Sequence, residues 1–370
     1  MKCLHLSKPV KILTLSAMLI LIGCQGLPPR QSPGDHAPSI GKGELKRAGP
    51  DSNYRKFAPR VKNNNEIEIH MLPVGGGMCQ VVNCPGNNNP APLLIDCGAS
   101  AGSLGANDLS KADAVARTQA LLGGRVTTVV LSHSDSDHNN YIPDVFPNVN
   151  QVGTLWVGSQ FNRYPVAVQT WINDVAAAGI VVRRNFPAGW SNNGNAVLEL
   201  ACGSARTFVL TVNSDVGAND GSMMLSIDHG DTHMIFPGDA TKKAQDWAMV
   251  NFPNPLLRSD LVAMSHHGAD SHGSNDDDWA FATEPRYLFA SAGVSYYHPR
   301  CDSGQRYINA GRVLAAPIHA YKCGYSGYWS AQSTTATAIY NTEDVGEVVI
   351  TATDDPATIR VTCSGLACSY

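Results

Sequence analysis

From residue 66 onward, short apolar runs alternate with turns rich in Gly, Pro, Asn and Asp, a spacing that predicts many strands with a few helices between them. Residues 66–74 and 78–83 read as strands around the turn Gly75-Gly76-Gly77, and an apolar run over 92–95 stops at Asp96. Residues 112–122 have helical spacing. Residues 126–131 form an uninterrupted β-branched run of the kind that fills a strand covered on both faces, and it stops at Ser132-His133. The alternation continues with a strand at 152–157, a helix at 165–178 and a strand at 180–183. Residues 208–212, 222–228 and 233–236 read as antiparallel strands, the last two around the turn His229-Gly230-Asp231. A helix over 240–250 precedes strands at 261–264 and 287–291, which run into Ser265-His266-His267-Gly268 and Tyr296-Tyr297-His298-Pro299. A hairpin of 347–353 with 358–363 closes the chain, and no repeat of solenoid period is present.

The first sixty residues follow a different pattern. Lys2, Lys8 and Lys11 precede an apolar run over 12–22, too short for a comfortable permanent span, which reads as an export signal. Leu21-Ile22-Gly23-Cys24 resembles a bacterial lipobox, so the expectation is cleavage before Cys24 and lipidation of its thiol, with a conventional signal cut nearby as the alternative. Residues 24–60 then form a flexible tether, rich in Pro, Gly and Ser, and residues 61–370 one folded domain. This places the protein on the periplasmic or cell-surface side, as a membrane-anchored lipoprotein or otherwise secreted.

Composition supports a folded core: 43% of the 370 residues are hydrophobic and only 16% charged, which excludes disorder, coiled coil and collagen as the main architecture. The formal charge is −4; loss of Lys2, Lys8 and Lys11 leaves 24 basic against 31 acidic residues, a net −7. No basic block marks a nucleic-acid stripe, so any grip on a polyanion comes from elsewhere. Of ten cysteines, Cys3 leaves with the signal and Cys24 takes the lipid; the remaining eight suit disulfides in an oxidising compartment, with Cys363–Cys368 and Cys301–Cys323 as expected pairs. The six tryptophans are dispersed and suggest no stacking platform, although Trp190 and Trp329 lie in Gly/Ser-rich segments that could border a pocket.

The strongest chemical signal is Ser132-His133-Ser134-Asp135-Ser136-Asp137-His138, directly after a buried strand. Two imidazoles and two carboxylates on a loop at a strand's C-terminal end suit one or two divalent cations. Pro237-Gly238-Asp239, Ser265-His266-His267-Gly268 and His298 follow later strands in the same way. His229 and His233 sit in or beside a hairpin turn and read as structural. The acidic segment 270–278 reads as a solvated loop in preference to a calcium site or substrate gate.

This ordered set resembles the metallo-β-lactamase fold family, whose pattern is His-x-His-x-Asp-His, then Gly-Asp and further histidines. Here the run is His-x-Asp-x-Asp-His, which, with Asp96 at the end of Leu93-Leu94-Ile95-Asp96 and with His266-His267-Gly268, resembles ComEC-type hydrolase domains over residues 66–361. Asn139-Asn140 stands where a Gly-Gly is frequent, and Ala269 where a serine follows His-His-Gly. The resemblance implies an α+β fold, an αββα four-layer sandwich. It implies that His133 and Asp135 bind one cation, Asp137 and His138 the second, and that Asp239 bridges. His266 completes the second site, with His267 as the alternative. Asp96 orients the metal loop from outside the ligand set, and His298 supplies a proton or hydrogen bond near the substrate.

The resulting expectation is a hydrolase with two divalent metal ions, zinc or manganese, acting on a phosphodiester or another small hydrolysable substrate. A water whose pKa the cations lower is the nucleophile, and Asp137 and His298 are the catalytic residues. The carboxylate of Asp135, in place of an imidazole, makes the site harder and shifts it towards manganese or magnesium. Lactone, ester or amide hydrolysis, β-lactams included, is the first alternative; a non-catalytic metal-binding protein of the same fold is the second.

Overall fold

The computed structural model describes residues 64–364 apart from 101, 103, 194, 215–216, 253, 313–319 and 334–337. The export signal, Cys24, the tether and Cys368 lie outside the described residues. Six strands open the described chain: β1 (Ile67–Met71), β2 (Cys79–Asn83), β3 (Leu93–Cys97), β4 (Thr127–Leu131), β5 (Val152–Val157) and β6 (Val181–Arg183). Five more follow, β7 (Arg206–Thr211), β8 (Met224–His229), β9 (Thr232–Phe236), β10 (Leu261–Ala263) and β11 (Tyr287–Ala290). The last five are β12 (Ala320–Tyr325), β13 (Tyr328–Ser333), β14 (Ile339–Asn341), β15 (Val348–Ala352) and β16 (Arg360–Cys363).

They form an eight-stranded sheet in the order β16-β15-β1-β2-β3-β4-β5-β6, a six-stranded sheet in the order β14-β11-β10-β9-β8-β7, and the separate β12–β13 hairpin. In the first sheet β3 to β6 are parallel; in the second, β9, β10, β11 and β14 are parallel. The helices are α1 (Lys111–Leu122), α2 (Ile142–Val145), α3 (Val166–Ala177), α4 (Lys242–Asn251), α5 (Asn254–Leu257), α6 (Asp277–Thr283), α7 (Cys301–Asn309) and α8 (Thr342–Val345).

Side-chain alternation explains the layering. Leu93 and Ile95 of β3 and Val130 of β4 join Leu225, Ile227 and Phe236 in a core between the sheets. Leu94, Val129 and Leu131 point the other way, onto a second core shared with α1, α2 and α3. Ala244, Trp279 and Tyr307 of α4, α6 and α7 cover the second sheet. The result is the αββα sandwich that the resemblance implies.

Three elements depart from the expected pattern. The acidic run after Asp270 is not simply a solvated loop: Asp276 caps α6 by accepting from Trp279 N at 2.9 Å and takes Lys242 Nζ at 2.5 Å, while Trp279 is fully buried. Helix α7 and the β12–β13 hairpin were not among the elements expected from the apolar runs, and a disulfide joins them. That bond, Cys301–Cys323, is the expected pair; Cys79–Cys97 and Cys84–Cys202 accompany it, the latter tying the end of β2 to the segment before β7. Cys363 is also disulfide-bonded. Among the described residues no helix is long and apolar enough to cross a membrane.

A buried ionic network pins the first sheet to α1. Glu347, fully enclosed before β15, accepts two hydrogen bonds from Arg117 at 2.8 and 3.1 Å and one from His70 Nδ1 at 2.8 Å, and His70 Nε2 meets Glu68 at 2.8 Å. Burial would raise the pKa of Glu347, but His70 and Arg117 outweigh it and hold the group at about 2. Burial would lower the pKa of His70, but Glu347 and Glu68 raise it above 6.5. Glu347 therefore contributes its full stabilisation above about pH 4.5 and loses it as pH falls towards 2. The His70 contribution is full below pH 6.5 and fades as pH rises through its raised value. Glu347→Gln is expected to lower the unfolding free energy by about 3 kcal/mol and to flatten both limbs of the stability–pH curve, measured by urea unfolding from pH 2 to 9.

Candidate metal centre

The chemistry-bearing loops leave the C-terminal ends of parallel strands in both sheets. Asp96 lies near the end of β3, His133 to His138 follow β4, Asp239 follows β9, His266 and His267 follow β10, and His298 follows β11. Such edges collect ligand sites because neighbouring strands deliver their loops to one crevice. Gly238 brings the sheets together: its φ is +58°, and a Cβ there would stand 2.8 Å from Ser132 Cβ.

Asp239 is buried at the centre. His138 Nε2 lies 3.1 Å from its Oδ1, while Nε2 atoms of His133, His266 and His267 lie 3.8, 3.7 and 3.7 Å from its Oδ2. Two sets of potential ligand atoms converge, His133 with His138 and Asp239, and Asp137 with His138 and His267. Asp135 Oδ2 stands 3.6 Å from His133 Nε2, and Asp137 Oδ2 3.8 Å from His267 Nε2. The Nε2 atoms of His138 and His267 are 3.2 Å apart, close to the ~3.3 Å between two nitrogens on one tetrahedral zinc.

Two atoms test whether a cation fits. His133 Nε2 is buried without a hydrogen-bond partner, and Asp239 Oδ1 is buried with only His138 Nε2 beside it, 3.1 Å away and outside hydrogen-bond geometry; an unsatisfied buried group costs about 1–3 kcal/mol when nothing compensates. A divalent cation satisfies both. The pKa directions agree with a tightly coupled cluster: burial would raise Asp239, yet His138, His267 and His266 draw it well below the ordinary carboxylate range. Burial would lower His138, yet Asp239 and Asp96 raise it well above 6.5. His133 lowers Asp135, whereas burial lowers His266 despite the opposing pull of Asp239.

A surrounding shell aims these side chains. Asp96 accepts from Ser132 N at 2.7 Å and Ser132 Oγ at 2.6 Å, and its Oδ2 meets His138 Nδ1 at 2.8 Å, leaving His138 Nε2 directed at Asp239. The Ser291 carbonyl accepts from His267 Nδ1 at 3.0 Å, so that ring keeps its Nε2 lone pair for the cluster. The sequence marked Asn139-Asn140 only as a departure from Gly-Gly, and did not mark Asn275. Asn139 Nδ2 donates to the carbonyl of Asp135 at 2.7 Å, and Asn140 holds Ala99 through both its N–H and its C=O. Asn275, fully buried within the acidic segment, donates to Ser265 O and Ala269 O and accepts from Ser265 N and Tyr307 Oη, at 2.8–3.0 Å. It fastens a turn in which His266 and His267 have φ of 51° and 57°.

The expected site residues thus meet in one crevice, with His267, the expected alternative to His266, on the inner side. The inner position expected of His266 belongs to His267, because the left-handed turn carries His267 towards His138 and leaves His266 nearer the rim, with Asn219 Nδ2 at 3.5 Å. His298 is partly buried, and burial together with His267 and His266 lowers its pKa to about 3. It is neutral near pH 7 and can donate a hydrogen bond, but not the proton of an imidazolium. His229 and His233 are structural, bonded to Asn65 O and Asp228 at 2.9 Å.

The crevice opens into a cleft of ≈ 680 Å³ lined by Asp135, Asp137, His266, Tyr296, His298 and Arg300, among others. No family model matches the chain. It is 31% identical to ComE operon protein 3 of Bacillus subtilis over 83 residues, which are 22% of this chain and span a tenth of that relative's length. Among solved structures it is similar to Tm1679, described as a metal-dependent hydrolase of the β-lactamase superfamily, at 11% identity and a TM-score of 0.38 over 66% of this chain and 93% of that one. The metallo-β-lactamase fold protein YhfI from Bacillus subtilis is 12% identical, with a TM-score of 0.35 over 60% of this chain and 85% of that one. A CmlA beta-hydroxylase is 15% identical, with a TM-score of 0.37 over 63% of this chain and 46% of its own.

Asp96→Asn and Asn275→Ala each leave every candidate ligand in place. Each is expected to weaken binding of Zn²⁺ or Mn²⁺ by about 10–100-fold, read by competition against a chromogenic chelator, with the circular dichroism spectrum unchanged.

Proposed function

We propose that the chain is an exported metal-dependent phosphodiesterase working with two divalent cations, zinc or manganese. The observation that carries this reading is the convergence of His133, Asp135, Asp137, His138, His267 and Asp239 in one crevice, with His133 Nε2 buried and without a hydrogen-bond partner. His133 and Asp135 would hold one cation, Asp137, His138 and His267 the other, with Asp239 between them and His266 beside the first. Bound there, the cations supply Lewis acidity and stabilise the attacking and leaving oxygens of an in-line displacement.

The chain's own groups orient the substrate. Arg300, on the cleft wall, offers a fixed positive charge to an anionic diester, held by the Tyr325 carbonyl at 2.6 Å. Neutral His298 donates a hydrogen bond to a phosphoryl or leaving oxygen. Asp96 and the Ser291 carbonyl keep the rings of His138 and His267 from rotating as charge develops. The mixed carboxylate–imidazole set suits hard cations and an oxyanionic substrate better than a lactam carbonyl. The disulfides are the chemistry of an oxidising compartment and support export. Anchoring through a lipid on Cys24 belongs to the same proposal; Cys24→Ala should move the protein from the membrane pellet to the soluble fraction.

The deciding assay measures bound metal in the purified protein, then turnover of an aryl phosphodiester, DNA, a lactone and a chromogenic β-lactam with Mn²⁺ and with Zn²⁺. Diester turnover is expected, and Asp137→Ala should reduce it to the blank while the fold persists. Turnover of the lactam or lactone alone would sink the phosphodiesterase reading, and neither metal nor turnover would leave a non-catalytic fold.

A further inference from the structure

Strands β2 and β3 pair in regular register from Val82 and Leu93 to Gln80 and Ile95, and the register then shifts so that Cys79 stands opposite Cys97. Asp96 is the extra residue of this bulge. Its φ is 58°, a left-handed conformation that a bulge ordinarily assigns to glycine and that a side-chain-bearing residue keeps only where its surroundings impose it. The same Asp96 holds Ser132 Oγ and His138 Nδ1, and the Cys79–Cys97 disulfide closes directly across it. Both cysteines are fully buried, with their sulfurs 3.4 and 3.7 Å from Thr118 Oγ1 of α1.

Beyond the bulge the two segments form a floor beneath the metal loop. Met78 N donates to the carbonyl of Asp137 at 3.1 Å, and the carbonyl of Cys97 accepts from Tyr141 N at 3.0 Å. The approach is backbone to backbone: a Cβ on Gly77 would stand 2.8 Å from Asp137 O, and one on Gly98 2.6 Å from Asn139 N. Isolated bonds, Gly98 N to Met78 O and Ser100 N to Gly76 O, replace the strand ladder here, and the disulfide adds the covalent link. Its partners are only 18 residues apart, against 118 for Cys84–Cys202, so it removes less freedom from the unfolded chain. We propose that the Cys79–Cys97 disulfide is a positioning clamp for the metal centre: it fixes the left-handed Asp96 that aims His138 and the floor that presents Asp137. This rests on the metal-binding part of the proposed function and names a device that sets its geometry.

The test uses the full chain with three paired replacements: Cys79→Ala with Cys97→Ala, Cys79→Ala with Cys97→Val to refill the space of the sulfurs, and, as a control near the other end of β2, Cys84→Ala with Cys202→Ala. Affinity for Zn²⁺ and Mn²⁺ is read by competition against a chromogenic chelator, and stability by urea unfolding without metal. Amide hydrogen exchange is followed on the metal-free protein. The Cys79/Cys97 variants should bind both cations about tenfold or more weakly. They should lose protection at the amides of Met78, Gly98 and Tyr141, while those of β10 and β11 exchange as in the wild type. The control should lose more stability, because its disulfide closes the longer loop, and keep wild-type affinity. Wild-type affinity in a folded Cys79/Cys97 variant, an equal loss of affinity in the control, or failure of both Cys79/Cys97 variants to fold overturns the clamp. A wild-type chain that binds neither cation would overturn the metal reading, and the exchange pattern would still decide whether the pair fixes the loop.

Discussion

Asp239 is the group on which the rest of the site depends. A carboxylate this deeply enclosed is normally driven towards its neutral form, and only surrounding positive charge keeps it ionised. His138, His267 and His266, on loops of both sheets, draw its pKa down against that cost. Because the imidazoles come from β4 and β10 and the carboxylate from β9, the cluster exists only while the C-terminal edges of the two sheets stay in contact. The close passage of Gly238 over Ser132 is the geometric condition for that contact.

Holding so many polar groups a few ångströms apart requires a rigid frame, and asparagines and backbone carbonyls supply most of it. Asn275 satisfies both ends of the His266-His267 turn and reaches across to Tyr307 of α7, so the turn's left-handed residues are fixed by a fully bonded side chain. Asn139 and Asn140 do similar work on the loop after β4. The Asn139-Asn140 pair, standing where the resembled family frequently has two glycines, is thus a structural clasp, built from side-chain hydrogen bonds in place of backbone freedom.

The cleft joins two different chemistries. Its floor is rich in carboxylates and imidazoles, suited to cations and, through them, to an anionic ester. Its outer wall sets the exposed ring of Tyr296 beside Arg300 and Asp270. A chain poor in basic residues has no long-range field to draw in a polyanion. Short-range contacts are what the wall offers, and the disulfide between α7 and β12 ties down the hairpin on which Tyr297 packs.

Periodicity alone determined most strands of the two sheets, because a strand covered on both faces must be apolar along its length, as Val129, Val130 and Leu131 are. The same reasoning located the metal-type loops, since Ser132 to His138, Gly238-Asp239 and His266-His267 each begin where an apolar run ends. Tertiary structure decided which members of those loops meet. That His267 and not His266 faces His138 depends on two left-handed residues and a buried Asn275, and none of these leaves a mark on hydrophobic spacing. Helix α6 was hidden because its capping acid, Asp276, looks like a solvated charge until Trp279 is seen buried behind it. Tyr297 meets Trp329, thirty-two positions away, through the β12–β13 hairpin. Sequence spacing records what each segment buries, whereas contacts between segments depend on long-range pairing of strands and loops that spacing does not encode.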